Sequence, residues 1–306
     1  MVFSATWFLL EQEGLLAQAC LCNGLTALRH ANLGDKKGLF YSAFFELSIG
    51  FERTLKLILI LDHMARNQLD PPDSKTVEDY GHKLRALFDS AKAICAKRGV
   101  PALDAFQPDS LQNAILGFLD DFAHPGGRYS NINKLTDHKH QAMADPLVKW
   151  GEIASRIMKE HATPGQRKRA ELNGQLASTA FGDAAASLIS DMNQQQMDVA
   201  RLFIRASELD SAARHAIYAL VTLIAALREV IDSLCDSAWK ASPAGRSGMP
   251  DVPDMKEFFR SCPWTWCKKR SEGHRLWQGW EADQLATAGK LTLGFSPRSA
   301  RVSRVM

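Results

Sequence analysis

Long apolar runs are missing from this chain. The stretch Leu57–Leu61 covers five residues, where a membrane-spanning helix needs about 20, so no membrane partner is expected. A basic leader is missing too. The opening "MVFSATWFLLEQEGLL" carries no Lys or Arg and meets Glu11 and Glu13 almost at once, which argues against a secretory signal. Cysteine is scarce, with six in 306 residues at irregular positions, and a chain of this length folds without disulfide staples. Reduced thiols and a cytoplasmic location are the expectation. Alternating apolar/polar runs, the mark of half-buried strands, are nearly absent. There is no glycine-rich phosphate loop, nucleophile elbow or carboxylate cluster suited to a metal, so neither a metal nor a cofactor is expected.

What is there is the composition of a globular protein, 46% hydrophobic and 23% charged. The length is enough for one large core or two modest ones. The net charge of +3 is unevenly spread. Residues 256–306 hold ten Lys/Arg against four Asp/Glu, or +6, which leaves 27 basic and 30 acidic side chains, or −3, on the rest. A near-neutral body with a basic tail points to an anionic partner.

The dominant apolar period is helical. A first helix is expected over Ala5–Leu28 and a second from about Leu39 to Arg66, stopped by the prolines of "DPPDS". A third follows from about Val77 to Arg98 with Gly99 as its C-terminal cap. A fourth runs near Ser110–Phe122 and is stopped by "HPGG". A loop through "RYSNINK" then leads to a helix capped by Asp145, with Pro146 at its first position. The polar, Ala-rich segment near 162–185 reads as an insertion or a domain boundary. The stretch "SAARHAIYALVTLIAALREVIDSLCDSAW" is a long core helix. The expectation is an all-α helical bundle over residues 1–240. A linker and a basic, Trp-rich, partly irregular segment follow over 241–306, with one short helix, a strand at "GKLTLGF" and a loose tail expected there.

Three short features sit on this frame. In "GFERTLKLILILDHM", Glu52 and Lys56 are four residues apart and can pair on one helix face. Phe44, Leu47, Phe51, Leu55 and Ile58 form the neighbouring apolar stripe. An ion pair at the edge of the core accounts for these charges, since an unpaired buried charge is costly. In "GHKLRALF", His82 and Arg85 stand near the start of the third helix, where an anion can bind; a local hydrogen bond from the imidazole is the plainer account. In "FAHPGGRYSNINK", Arg128 and Tyr129 follow a tight glycine turn. Loop-borne Arg and Tyr suit phosphate contact and base stacking, and equally suit closing the end of a bundle.

An "E-R-x-x-K" helix, a "G-H-x-L-x-x-L" helix start and a later "R-Y" loop, in that order, resemble the HEPN family of helical bundles over roughly Leu39 to His161. The resemblance implies a bundle that forms a homodimer, binds RNA or nucleotide, and acts in toxin or phage-defence systems with a regulatory protein partner. It also implies a metal-independent endoribonuclease with an Arg, four to six residues, and then a His. "RIMKEH", Arg156 to His161, fits that spacing. There His161 would serve as general acid/base or orient the 2′-hydroxyl, and Arg156 would stabilise the phosphorane charge. Read from the residues alone, a five-residue step turns the two side chains roughly 140° apart on a regular helix. Arg156 also stands between Glu152 and Glu160 in a charge ladder.

In the C-terminal segment, Lys268, Lys269 and Arg270 lie among four tryptophans. That mixture grips single-stranded nucleic acid, although tryptophans also pin irregular segments onto a bundle. Cys262, Cys267 and His274 match no common zinc spacing and lack a fourth ligand. The competing reading is a non-catalytic helical interaction or scaffold protein that keeps the bundle without an active site.

Overall fold

The computed structural model describes residues 3–136, 145–182, 186–241, 252–255 and 258. The chain is all-α. Helix α1 (Ala5–His30) begins at Ser4, whose hydroxyl accepts the Trp7 N–H at 3.1 Å. A short turn leads to α2 (Gly38–Arg66). Contacts between the two fall in α1 as they rise in α2, with Gly24 against Leu47, Leu21 against Gly50 and Glu13 against Arg53, so the pair is antiparallel. The two glycines bring the backbones close: a Cβ at Gly24 would lie 2.9 Å from the Leu47 nitrogen, and one at Gly50 would lie 3.0 Å from that of Leu21.

Where one helix is expected from Val77 to Arg98, the structure has two. Helix α3 (Ser74–Asp79) is capped by Asp73, and α4 (Leu84–Arg98) follows. Gly81, at φ +68°, turns the chain through the left-handed region between them. The restart of α4 is secured from outside, because the Asp120 carboxylate accepts the Leu84 N–H at 2.6 Å. Gly99, at φ +66°, closes α4 as expected.

Helix α5 (Leu111–Ala123) is capped by Ser110. The expected loop beyond it is instead two short helices, α6 (Pro125–Arg128) and α7 (Ser130–Leu135). Gly127 makes this return possible, since a Cβ there would lie 2.6 Å from the Asp121 carbonyl oxygen. Helix α8 (Pro146–Glu160) starts with Asp145 accepting the Leu147 N–H. The segment read as an insertion or boundary carries α9 (Pro164–Phe181), opened by a Thr163/Gln166 capping box. It packs along α10, with Gly174 against Ile204.

A small antiparallel hairpin, β1 (Ala186–Ser190) and β2 (Gln196–Asp198), was not expected from the pattern. Its turn is built on Asp191, whose carboxylate accepts the N–H groups of Asn193 and Gln195. Asp198 then accepts the Arg201 N–H at 2.6 Å, so α10 (Val199–Ala241) starts well before the expected Ser211. At 43 residues, α10 is about 65 Å long and packs against α1, α2, α5, α8 and α9.

The core centres on an aromatic cluster. Phe44 of α2 meets Phe118 and Phe122 of α5 at 4.7 and 5.4 Å between ring centroids, and Phe118 meets Trp150 of α8 at 5.6 Å. The expected stripe of Phe44, Leu47, Phe51, Leu55 and Ile58 is fully buried. All the described residues fall in one compact unit, Met1–Phe259. Among them, no helix is long and apolar enough to cross a membrane. Lys268, Lys269, Arg270 and the strand expected at "GKLTLGF" lie outside the described residues.

Candidate functional site

The pair expected on α2 is present, with Lys56 Nζ 3.0 Å from Glu52 Oε1. It is not alone. The turn between α3 and α4 brings His82 back over α2 and places Nδ1 2.8 Å from the same carboxylate oxygen. A carboxylate only accepts, so Nδ1 is assigned the proton, and Nε2 is the basic nitrogen of the neutral ring. Lys56 Nζ lies 3.4 Å from Nδ1 as a neighbour of that bond. The His82 side chain is 83% exposed while that of Glu52 is 20% exposed. The imidazole is thus anchored at one nitrogen and open to solvent at its other end. Burial pushes the Glu52 carboxyl up, but the hydrogen bonds from His82 and Lys56 outweigh burial and hold it below the ordinary range.

These residues form one wall of an open cleft of about 930 Å³ between α2, the α3–α4 turn and the end of α5. Its floor is apolar, with Ile49, Leu57 and Ile60 from α2, Val77 from α3 and Ala123 from α5. Cations and anions on the walls are Arg53, Lys56, Lys83 and Arg128 against Glu13, Glu52 and Asp120. Every carboxylate is engaged. Glu13 takes two hydrogen bonds from Arg53, at 2.8 and 2.6 Å. Glu52 holds Lys56 and His82, and Asp120 caps α4.

Arg128 is different. Its guanidinium lies 5.8 Å from the ring centroid of Phe45 on α2, within cation–π range. Its Nε is buried without a hydrogen-bond partner among the described residues. Lys83 is exposed on the same cleft, and so is His124, the last residue before α6. The site therefore holds more fixed positive charge than it neutralises.

The structure brings four of the expected residues together here: Glu52, Lys56, His82 and Arg128. Two others stand apart. Arg85 lays its guanidinium against Gly117 of α5, so close that a Cβ there has no room. Tyr129 is 55% exposed at the start of α7 and is not part of the cleft wall.

Arg156 and His161 lie at the C-terminal end of α8, away from the cleft. Arg156 Nε sits 3.0 Å from both Glu160 carboxylate oxygens, and its Nη2 donates to the Asp109 carbonyl at 2.6 Å. The anticipated ladder thus runs to Glu160 and a backbone carbonyl. His161 is the C-cap of α8, with its ring centroid 6.2 Å from that of His215 on α10. Burial first, then His161 and Arg214, pushes the His215 imidazole below its usual value.

Residues missed from the sequence are Lys83, His124, Asp120 and the Glu13–Arg53 pair. The last two depend on contacts across 36 and 40 positions of chain, which no local spacing reveals. His124 and Lys83 flank expected residues inside "FAHPGGRY" and "GHKL", and proximity to those motifs was the available signal. Among the described residues, no group of three His, Cys, Asp or Glu side chains is placed to hold a metal ion. The chain matches no family model, no curated protein and no solved structure.

Proposed function

We propose that the cleft between α2, the α3–α4 turn and α5 binds the phosphate-bearing part of a single-stranded RNA or nucleotide, in keeping with the resemblance to HEPN bundles. The observation that carries this reading is Arg128, a half-buried guanidinium on a cleft whose carboxylates are all engaged by other groups. A phosphate on the cleft takes charge-assisted hydrogen bonds from that guanidinium. The apolar floor gives a base or ribose a surface to lie on. The volume of about 930 Å³ is within the range of small-ligand sites.

The test is fluorescence polarisation with a labelled single-stranded RNA and with free mononucleotides, comparing the native chain with Arg128→Ala. A charge-assisted hydrogen bond is worth about 1.5–3 kcal/mol, so Arg128→Ala weakens binding roughly 10- to 150-fold. Affinity falls with added salt, with a slope that becomes shallower in the variant. Equal affinity in the two proteins, or no binding to either probe at low salt, overturns the proposal.

A further inference from the structure

We infer that His82 is a proton-gated phosphate donor of this cleft: neutral, its open end offers an anion no hydrogen, and protonated, it donates from Nε2 to a phosphate oxygen. The inference rests on the binding reading above and adds to it a dependence on pH.

The tautomer carries the argument. A free imidazole can place its one proton on either ring nitrogen, so an exposed histidine ordinarily has an N–H to offer even when neutral. His82 lacks that choice. Its Nδ1 donates to Glu52 Oε1 at 2.8 Å, which leaves a lone pair on Nε2. That lone pair would meet a phosphate oxygen as acceptor against acceptor. Only a second proton, taken from solvent onto Nε2, turns the open end of the ring into a donor. The same proton brings the positive charge that strengthens a hydrogen bond to phosphate. The side chain is 83% exposed, so this end is reachable by a ligand.

The surroundings keep the gate in place. Burial raises the Glu52 carboxyl, but the hydrogen bonds from His82 and Lys56 carry it below its ordinary range. Glu52 therefore stays ionised where imidazoles titrate, and it keeps Nδ1 engaged. On α2, Lys56 Nζ lies 3.4 Å from Nδ1 and pairs with the same carboxylate. Lys83 lines the cleft beside the ring, and α5 presents Asp120, which is engaged as the cap of α4. Glu13 and Arg53 hold each other. A proton on Nε2 is thus left for a ligand rather than for a carboxylate of the cleft. Lys83 and Arg128 keep their charge at any neutral pH and supply the constant part of the affinity, while His82 supplies the variable part. By reciprocity, a bound phosphate favours the proton on Nε2 as much as the proton favours the phosphate. His124, exposed on the same cleft, is the comparison.

The experiment follows fluorescence polarisation of a labelled single-stranded oligouridylate, whose base does not titrate in this range. Ionic strength is fixed while pH runs from about 8 to about 5.5, the span of imidazole titration. Native protein, His82→Gln and His124→Gln are compared, with circular dichroism checking each fold at both ends. Native affinity rises about 10-fold as pH falls, the size of one charge-assisted hydrogen bond at an exposed site. His82→Gln loses most of that rise, and His124→Gln keeps most of it. NMR of the imidazole nitrogens in the native chain reads the gate directly. In the free protein at the alkaline end the His82 proton is on Nδ1, and with the oligonucleotide bound at the acid end both nitrogens carry one. A proton found on Nε2 in the free protein at the alkaline end, an affinity flat with pH, or a rise that survives His82→Gln overturns the gate while the binding reading stands. Absence of binding at both ends of the range overturns both.

Discussion

Alanine at Gly24 sets two effects of opposite sign against each other at one atom. Gly24 is interior to α1, where replacing glycine by alanine ordinarily stabilises a helix by about 1 kcal/mol. Here the new methyl would lie 2.7 Å from Leu47 Cγ and 2.9 Å from the Leu47 backbone nitrogen. Leu47 is 1% exposed, so its side chain has no free volume to move into. The backbone nitrogen moves only if α2 itself moves, and α2 carries the aromatic cluster on its neighbouring turn. Overpacking of this kind costs about 1–3 kcal/mol, and contact with a backbone atom places it near the upper end. The net result is a loss of roughly 2 kcal/mol, or about 4–8 °C in Tm. Gly50→Ala, whose methyl would meet Leu21 at 2.8 Å, behaves alike. Gly38→Ala, with nothing within 4 Å of its Cβ, shows no such loss. Urea unfolding followed by far-UV circular dichroism measures all three, with an unchanged m-value marking a change in stability alone. Stabilisation of Gly24→Ala by the propensity term would refute the close-approach argument.

Two further outcomes follow from buried charge. Asp62 is 6% exposed and accepts from Arg98 and Arg66, each at 2.7 Å; Asp62→Ala leaves Arg98 without its partner and costs about 3 kcal/mol, and a loss below about 1 kcal/mol in the same urea assay would contradict the pairing. The acid side of the stability profile has two parts. His215 has a folded value below 6.5, so the unfolded chain binds the proton more readily and stability declines as pH falls through the region below 6.5. His215→Gln removes that slope, and an unchanged slope would show that His215 is not its source. The depressed Glu52 carboxyl contributes stability above 4.5 that is lost as pH falls through its lower folded value, a loss that Glu52→Gln abolishes.

Much of the bundle was legible because its signals are local. Asp145 and Pro146 announced α8 and Gly99 ended α4, each through the backbone rules that hold at helix ends; α2 ends at the expected Arg66, through a left-handed turn at Gln68 and Leu69 ahead of the prolines. The misses share the opposite property. The break at Gly81 was hidden because Leu84, Leu87 and Phe88 continue an apolar stripe, and the carboxylate that restarts the helix comes from Asp120, 36 positions away. The hairpin strands, of five and three residues, are too short for alternation to register. The early start of α10 rests on one side-chain cap at Asp198.

The same division explains why the cleft was only half visible. Glu52 and Lys56 pair by helical spacing alone, and that pair satisfies the charges at the core edge without any function. If it were the whole account, Glu52 would have no need of a second donor. The structure supplies one all the same, and it does so through Gly81, because a continuous helix from Val77 would have carried His82 away on a regular turn. The left-handed residue, the Asp120 cap and the Glu52 carboxylate act on consecutive parts of one short connection. Their joint effect is to hold an exposed imidazole on the same cleft as an apolar floor and Arg128. His82 uses one nitrogen, and its position follows from three separate constraints of the fold.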